Sequence, residues 1–179
     1  MFKINEDVNV PEGVDVSIGG KRIRVAGEKG ELNLDFFNPR VKIVKENNKI
    51  FFMSDKATRR EKRIIGTFKA HVNNMIKGVR EGFEYRLKIC ASHFPMNVSI
   101  DGKAVVIKNF LGEKIPRKAK ILEGVDGKID GDQIILTGIS RENVGQTAAN
   151  IEKSCKIGKR DRRRFEDGIY IISKGEGLI

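Results

Sequence analysis

An internal repeat restricts the fold of this chain more than any other feature. Val16-Ser-Ile-Gly-Gly-Lys-Arg-Ile-Arg-Val25 lines up without a gap on Val98-Ser-Ile-Asp-Gly-Lys-Ala-Val-Val-Ile107, a displacement of 82 residues. The same displacement carries Gly30-Glu31 onto Gly112-Glu113. A second block, Ile65-Gly-Thr-Phe-Lys-Ala70-His-Val72, recurs as Val144-Gly-Gln-Thr-Ala-Ala149-Asn-Ile151, now displaced by 79. Two blocks in the same order predict a duplicated domain: one repeat at residues 1–81, a second at 82–174, and a short tail at 175–179.

Each half reads as strands followed by one helix. Val14, Val16 and Ile18 alternate with polar residues, Gly19-Gly20 turns the chain, and Ile23 and Val25 resume the alternation. Leu32, Leu34 and Phe36 keep the period of two, and Val41, Ile43, Ile50 and Phe52 suggest a further hairpin turning at Asn47-Asn48. The period then changes. Ile64, Ile65, Phe68, Val72, Met75, Ile76 and Val79 fall along one helical face, with Gly78 and Gly82 marking the end. The second half repeats the scheme with a turn at Asp101-Gly102, a late strand at Ile134–Leu136 and a shorter helix lined by Val144, Ala148, Ile151 and Cys155. Strands joined by tight turns pair antiparallel, and a sheet with one apolar face is closed by a helix. The expected fold is α+β and duplicated, each repeat an antiparallel arrangement packed on one α-helix.

Charge then narrows the function. The 35 Lys and Arg against 24 Asp and Glu leave +11, which points to a polyanionic partner. No apolar run approaches the roughly 20 residues needed to span a bilayer, and the N-terminus lacks a signal-peptide pattern, so no membrane partner is expected. Cys90 and Cys155 fit neither a zinc pattern nor a disulfide framework and suit a reducing, cytoplasmic setting. Lys153 to Arg164 holds seven cations (Lys153, Lys156, Lys159, Arg160, Arg162, Arg163, Arg164) and one acid, Asp161. Charges this dense repel one another unless an external polyanion neutralises them, and RNA phosphates would do so. A second group, Lys56 to Arg63, lies where the first helix should start, an unfavourable place for cations. Either that helix begins near Glu61 or the charges serve a partner; a solvated helix face is the favoured reading. Lys114, Arg117, Lys118 and Lys120 form a looser third group.

Catalytic patterns are missing. His71 falls within the first helix as a surface or boundary residue. His93, in Ala91-Ser-His-Phe-Pro95, reads as a turn-stabilising residue rather than a base for Ser92. The glycine-rich spots Gly19-Gly20, Asp126-Gly127 and Asp130-Gly131 read as turns, with no phosphate-binding loop and no metal-ligand spacing. No enzyme activity, cofactor or small-molecule substrate is expected.

Three stretches carry a resemblance to a known family: Pro11-Glu-Gly-Val14 leading into Gly27-Glu-Lys-Gly-Glu31, then Ser92-His-Phe-Pro95, and Arg163-Arg-Phe-Glu-Asp-Gly-Ile-Tyr-Ile171. With the duplication, the chain resembles the L-six family of large-subunit ribosomal proteins, in its archaeal type, similar to the eukaryotic form called L-nine. Lys153, where the family pattern has glutamine, and Ala91, where an aromatic residue is usual, depart from it. The resemblance implies a structural constituent of the cytoplasmic ribosome, partnered by large-subunit ribosomal RNA and neighbouring ribosomal proteins. It implies docking mainly through the C-terminal repeat, near the region where translational GTPases bind. RNA contact would then fall on Lys156, Lys159, Arg160, Arg162, Arg163 and Arg164, and on a turn from Phe165 to Tyr170. Gly168, with φ > 0, would let the backbone approach the RNA. Phe165 and Tyr170 would stack on a splayed base or pack beneath the basic loop. The alternative function is a protein–protein adaptor whose basic loop meets an acidic partner.

Overall fold

The computed structural model describes residues 2–158, 160–161 and 163–175, and the chain divides into two compact units, Met1–Glu81 and Gly82–Ile179. In the first unit the predicted hairpin is β2 (Asp15–Gly19) with β3 (Arg22–Gly27), extended by β4 (Gly30–Asp35) into an antiparallel sheet of order β2-β3-β4. Gly19 pairs with Arg22, so the loop is Gly20-Lys21, one residue later than the sequence suggests. Gly20 takes φ 63, a conformation open to glycine at little cost. A second sheet joins β1 (Phe2–Asn9), β5 (Lys42–Glu46) and β6 (Lys49–Ala57) in the order β1-β6-β5, with Asn47 at φ 51 in the expected turn. The inward residues Val8, Val16, Ile23, Val25, Ile50 and Phe52 meet Ile65, Val72, Met75, Ile76 and Val79 of helix α1 (Arg59–Arg80). The helix closes so tightly on β3 that a Cβ on Gly27 would stand 2.8–3.0 Å from Val79.

Helix α1 starts at Arg59, not near Glu61. Thr58 is its N-cap: the Thr58 side chain accepts from the Arg60 N–H, while the Glu61 carboxylate accepts from the Thr58 N–H at 2.8 Å. Glu61 is buried in the first turn, 3.6 Å from Arg40, and the Thr58 hydrogen bonds hold its carboxyl below the ordinary value. That acid offsets the exposed cations Arg59, Arg60, Lys62 and Arg63 at the positive end of the helix dipole. Gly78 is buried inside the helix, and the turn away from it is made by Gly82 at φ 77.

The second unit repeats the connectivity. Strand β7 (Phe83–Cys90) stands where β1 does. Next, β8 (Asn97–Asp101), β9 (Ala104–Lys108) and β10 (Arg117–Lys120) form a sheet of order β10-β9-β8, matching β2 to β4. Gly102, at φ 55, takes the turn position of Gly20. The displacement of 82 is lost after β9, where a 3-10 turn at Phe110–Gly112 delays β10, so Gly112-Glu113 does not open a strand as Gly30-Glu31 does. Strands β11 (Val125–Asp130) and β12 (Gln133–Gly138) match β5 and β6, and helix α2 (Arg141–Ser154), capped by Ser140, buries Val144, Ala148 and Ile151. Asp126-Gly127 lies inside β11 rather than in a turn. One element is additional: β13 (Gly168–Lys174) pairs with the free side of β7, giving the order β11-β12-β7-β13. The α+β duplicated fold is what the periodicity implied.

Candidate nucleic-acid interface

The basic run leaves α2 and crosses to β13. Lys156, Arg160, Arg163 and Arg164 all present exposed residues. Lys159 and Arg162 lie outside the described residues. The one acid of the run shapes it: the Asp161 carboxylate accepts from the Arg163 N–H at 3.0 Å. Its carbonyl accepts from the N–H groups of Arg164 and Phe165, at 3.1 and 3.0 Å. Asp161 therefore turns the chain locally, in the way aspartate commonly does, and the exposed Arg163 lies 3.9 Å from its carboxylate.

Beneath the loop is a second carboxylate. Asp167 is buried, and its Oδ1 accepts from the N–H groups of Ser92 and His93, at 2.7 and 3.0 Å, while Oδ2 lies 2.6 Å from His93 Nδ1. Burial pushes the Asp167 carboxyl up, but the His93 backbone and ring and the Ser92 backbone outweigh it, and the group titrates below the ordinary aspartate value. The His93 ring stacks on Phe165 with centroids 4.5 Å apart, and the Arg160 guanidinium lies 4.8 Å from the Phe165 centroid. His93 thus does stabilise its bend, by tying it to the entrance of β13. Ser92 contributes its backbone to this cluster. The Phe165 ring packs against the core beneath the loop rather than standing free for a base.

Arg117 is fully engaged. Its guanidinium grips the Glu113 carboxylate through two bonds of 2.7 and 2.6 Å and donates to the carbonyls of Ser154 and Lys156 at 2.7 and 3.2 Å. It satisfies carbonyls at the end of α2 and so fixes where the basic run begins.

Between the end of α2 and the start of β13 opens a cavity of about 410 Å³, lined among others by Glu152, Lys153, Lys156, Phe165, Gly168 and Tyr170. The expected turn from Phe165 to Tyr170 is corrected here: Gly168, Ile169 and Tyr170 are the first residues of β13, paired with Cys90, Ile89 and Lys88. Gly168 does not take the positive φ expected of it. It is small for another reason. A Cβ there would stand 2.9–3.1 Å from the Tyr170 ring, whose hydroxyl donates to the Glu166 carbonyl at 3.1 Å. Gly168→Ala should cost about 1 kcal/mol, the low end for overpacking, because the far end of the ring can swing aside. A urea titration with an unchanged midpoint would show the ring to be looser than this.

The profile of the family described as Ribosomal protein L6 matches the chain twice, at residues 10–82 and 94–168. The chain belongs to the ribosomal protein L6 family. Among L6-family relatives, the large ribosomal subunit protein uL6 of Methanobrevibacter smithii is 46% identical over 171 residues, covering 96% of each chain. The uL6 protein of Methanococcus vannielii is 44% identical over 176 residues, covering 98% of this chain and 97% of its own. The type is archaeal, as the resemblance implied. An L6-family protein is a structural constituent of the large subunit of the cytoplasmic ribosome, and not an enzyme. No helix among the described residues is long and apolar enough to cross a membrane. The two matched segments correspond to the two units of like connectivity, so the family profile recognises both repeats. Sequence reasoning missed Asp167, Glu152 and the anchoring role of Arg117. Their defining partners lie far along the chain: Ser92 and His93 for Asp167, Ile171 for Glu152 and Ser154 for Arg117.

Proposed function

We propose that this L6-family chain binds large-subunit ribosomal RNA, mainly through its second unit, and sits near the region where translational GTPases act. Neighbouring ribosomal proteins complete its surroundings. The observation that carries the reading is the basic loop: the exposed Arg160, Arg163 and Arg164 flank a turn held by Asp161, beside a base anchored by the buried Asp167. Holding the loop in place before binding reduces the ordering cost of association. Guanidinium groups suit phosphate because each presents a planar fork of donors. The placement near the GTPase region rests on the family resemblance of the C-terminal stretch.

Binding of the purified protein to large-subunit ribosomal RNA across a salt series tests this. A variant with Arg160, Arg162, Arg163 and Arg164 all replaced by Ala should bind more weakly than the wild type. Its slope of log affinity against log salt should be shallower by roughly 3, given about 0.7–0.9 per neutralised phosphate. A folded variant with unchanged affinity and slope would remove the loop from the interface. A wild type with no preference over bulk transfer RNA would remove the RNA reading altogether.

A further inference from the structure

We propose that the cavity between α2 and β13 receives one unstacked RNA base, with guanine the best fit, and that Glu152 reads its hydrogen-bonding edge. The proposal rests on the RNA-binding reading above and names what the second unit recognises beyond phosphate charge. At about 410 Å³ the cavity accommodates a single base and falls in the size range of small-ligand pockets.

Its chemistry is unlike that of the loop beside it. Lys153 and Lys156 line it, and neither forms an ion pair among the described residues. Between them and β13 is a carboxylate: Glu152 Oε1 accepts from the Ile171 N–H at 3.2 Å, and Glu152 likewise forms no ion pair among the described residues. A carboxylate repels phosphate, so the interior is not a phosphate site. A carboxylate only accepts hydrogen bonds and selects a ligand edge rich in donors. Guanine presents two adjacent donors, N1–H and the N2 amino group, that match its two oxygens. The other bases place an acceptor beside or around their donors.

The walls suit a base as well. The Tyr170 residue is 42% exposed at the cavity, its hydroxyl held by the Glu166 carbonyl. Single-stranded bases are commonly held by stacking on such a ring and by bonds to their Watson–Crick edge. Of the two aromatic residues that line the cavity, Tyr170 is the more exposed and is the ring assigned to stacking. Lys153 and Lys156 would hold the flanking phosphates, which position the strand without reading it.

Chemical probing of large-subunit ribosomal RNA with kethoxal, which attacks N1 and N2 of unpaired guanine, tests the proposal on the full chain. Wild-type protein should protect one unpaired guanine. Glu152→Gln keeps an oxygen for the Ile171 N–H but loses the second acceptor. It should leave that guanine reactive and weaken binding about tenfold at an unchanged salt slope. Tyr170→Leu should weaken protection of the same nucleotide. Should wild type bind with the expected salt slope yet protect no unpaired guanine, the pocket proposal alone falls. Equal protection by Glu152→Gln would also overturn it. A wild type without preference for this RNA would overturn both readings together.

Discussion

Asp167→Ala should destabilise the second unit by about 2–4 kcal/mol, the largest effect expected of any polar substitution near the basic loop. The carboxylate holds two backbone N–H groups and the His93 ring, and it is itself buried. Hydrogen bonds to a charged acceptor contribute about 1.5–3 kcal/mol each. The sum is not reached because residues 91–95 are exposed, and water can satisfy donors that Asp167 abandons. Asp167→Asn keeps an acceptor for the Ser92 and His93 N–H groups and should lose less than half as much. The pH dependence has a fixed sign. The folded-state value of Asp167 lies below its ordinary 3.8, so its contribution is complete above the unfolded value and is lost as pH falls through the folded one. Urea titrations at pH 7 and near pH 3 should therefore show the gap between wild type and Asp167→Asn narrowing in acid. A gap that widens in acid would mean the carboxylate is not held in its charged form.

How far this arrangement was readable depends on whether a residue's partner is near in sequence. Ile18 and Ile23, or Ile100 and Val105, face each other across a two-residue loop, so alternation and turn glycines disclosed both hairpins. The helical stripe from Ile65 to Val79 was equally plain, being local. Strand β7 was legible too: Phe83-Glu-Tyr-Arg-Leu-Lys-Ile alternates strictly, but it begins at the joint between repeats and passed as a boundary. Strand β1 gave less to go on, with polar Asn5, Glu6 and Asp7 between Ile4 and Val8, as suits an edge strand. Strand β13 was taken for a turn because a basic loop precedes it and its partner β7 is nearly 80 residues earlier. The charge of the candidate interface was visible in composition; its support was not. Asp167 meets His93 across 74 residues and Arg117 meets Ser154 across 37, and no periodicity encodes either meeting.

Leu87→Ala should cost about 2–5 kcal/mol, more than any other change considered, and it separates the scaffold from the interface. Leu87 is fully buried at the centre of β7, opposite Ile134 of β12 on one side and Ile171 of β13 on the other. Truncating it removes apolar area and leaves a cavity between two strands whose hydrogen bonds hold the backbone in place, so little collapse can follow. Leu87→Met, which conserves volume, should cost less than about 1.5 kcal/mol, and Lys88→Ala, one residue along on the exposed face, within about 0.5 kcal/mol. Thermal unfolding and urea midpoints check this order. RNA binding should respond differently. At a temperature where Leu87→Ala is still folded, the loop arginines and the Asp167 cluster are intact. Its salt slope should then match the wild type's, while that of the arginine variant is shallower at nearly wild-type stability. The reverse pattern, a slope changed by Leu87→Ala and unmoved by the arginines, would mean that the sheet itself meets the RNA.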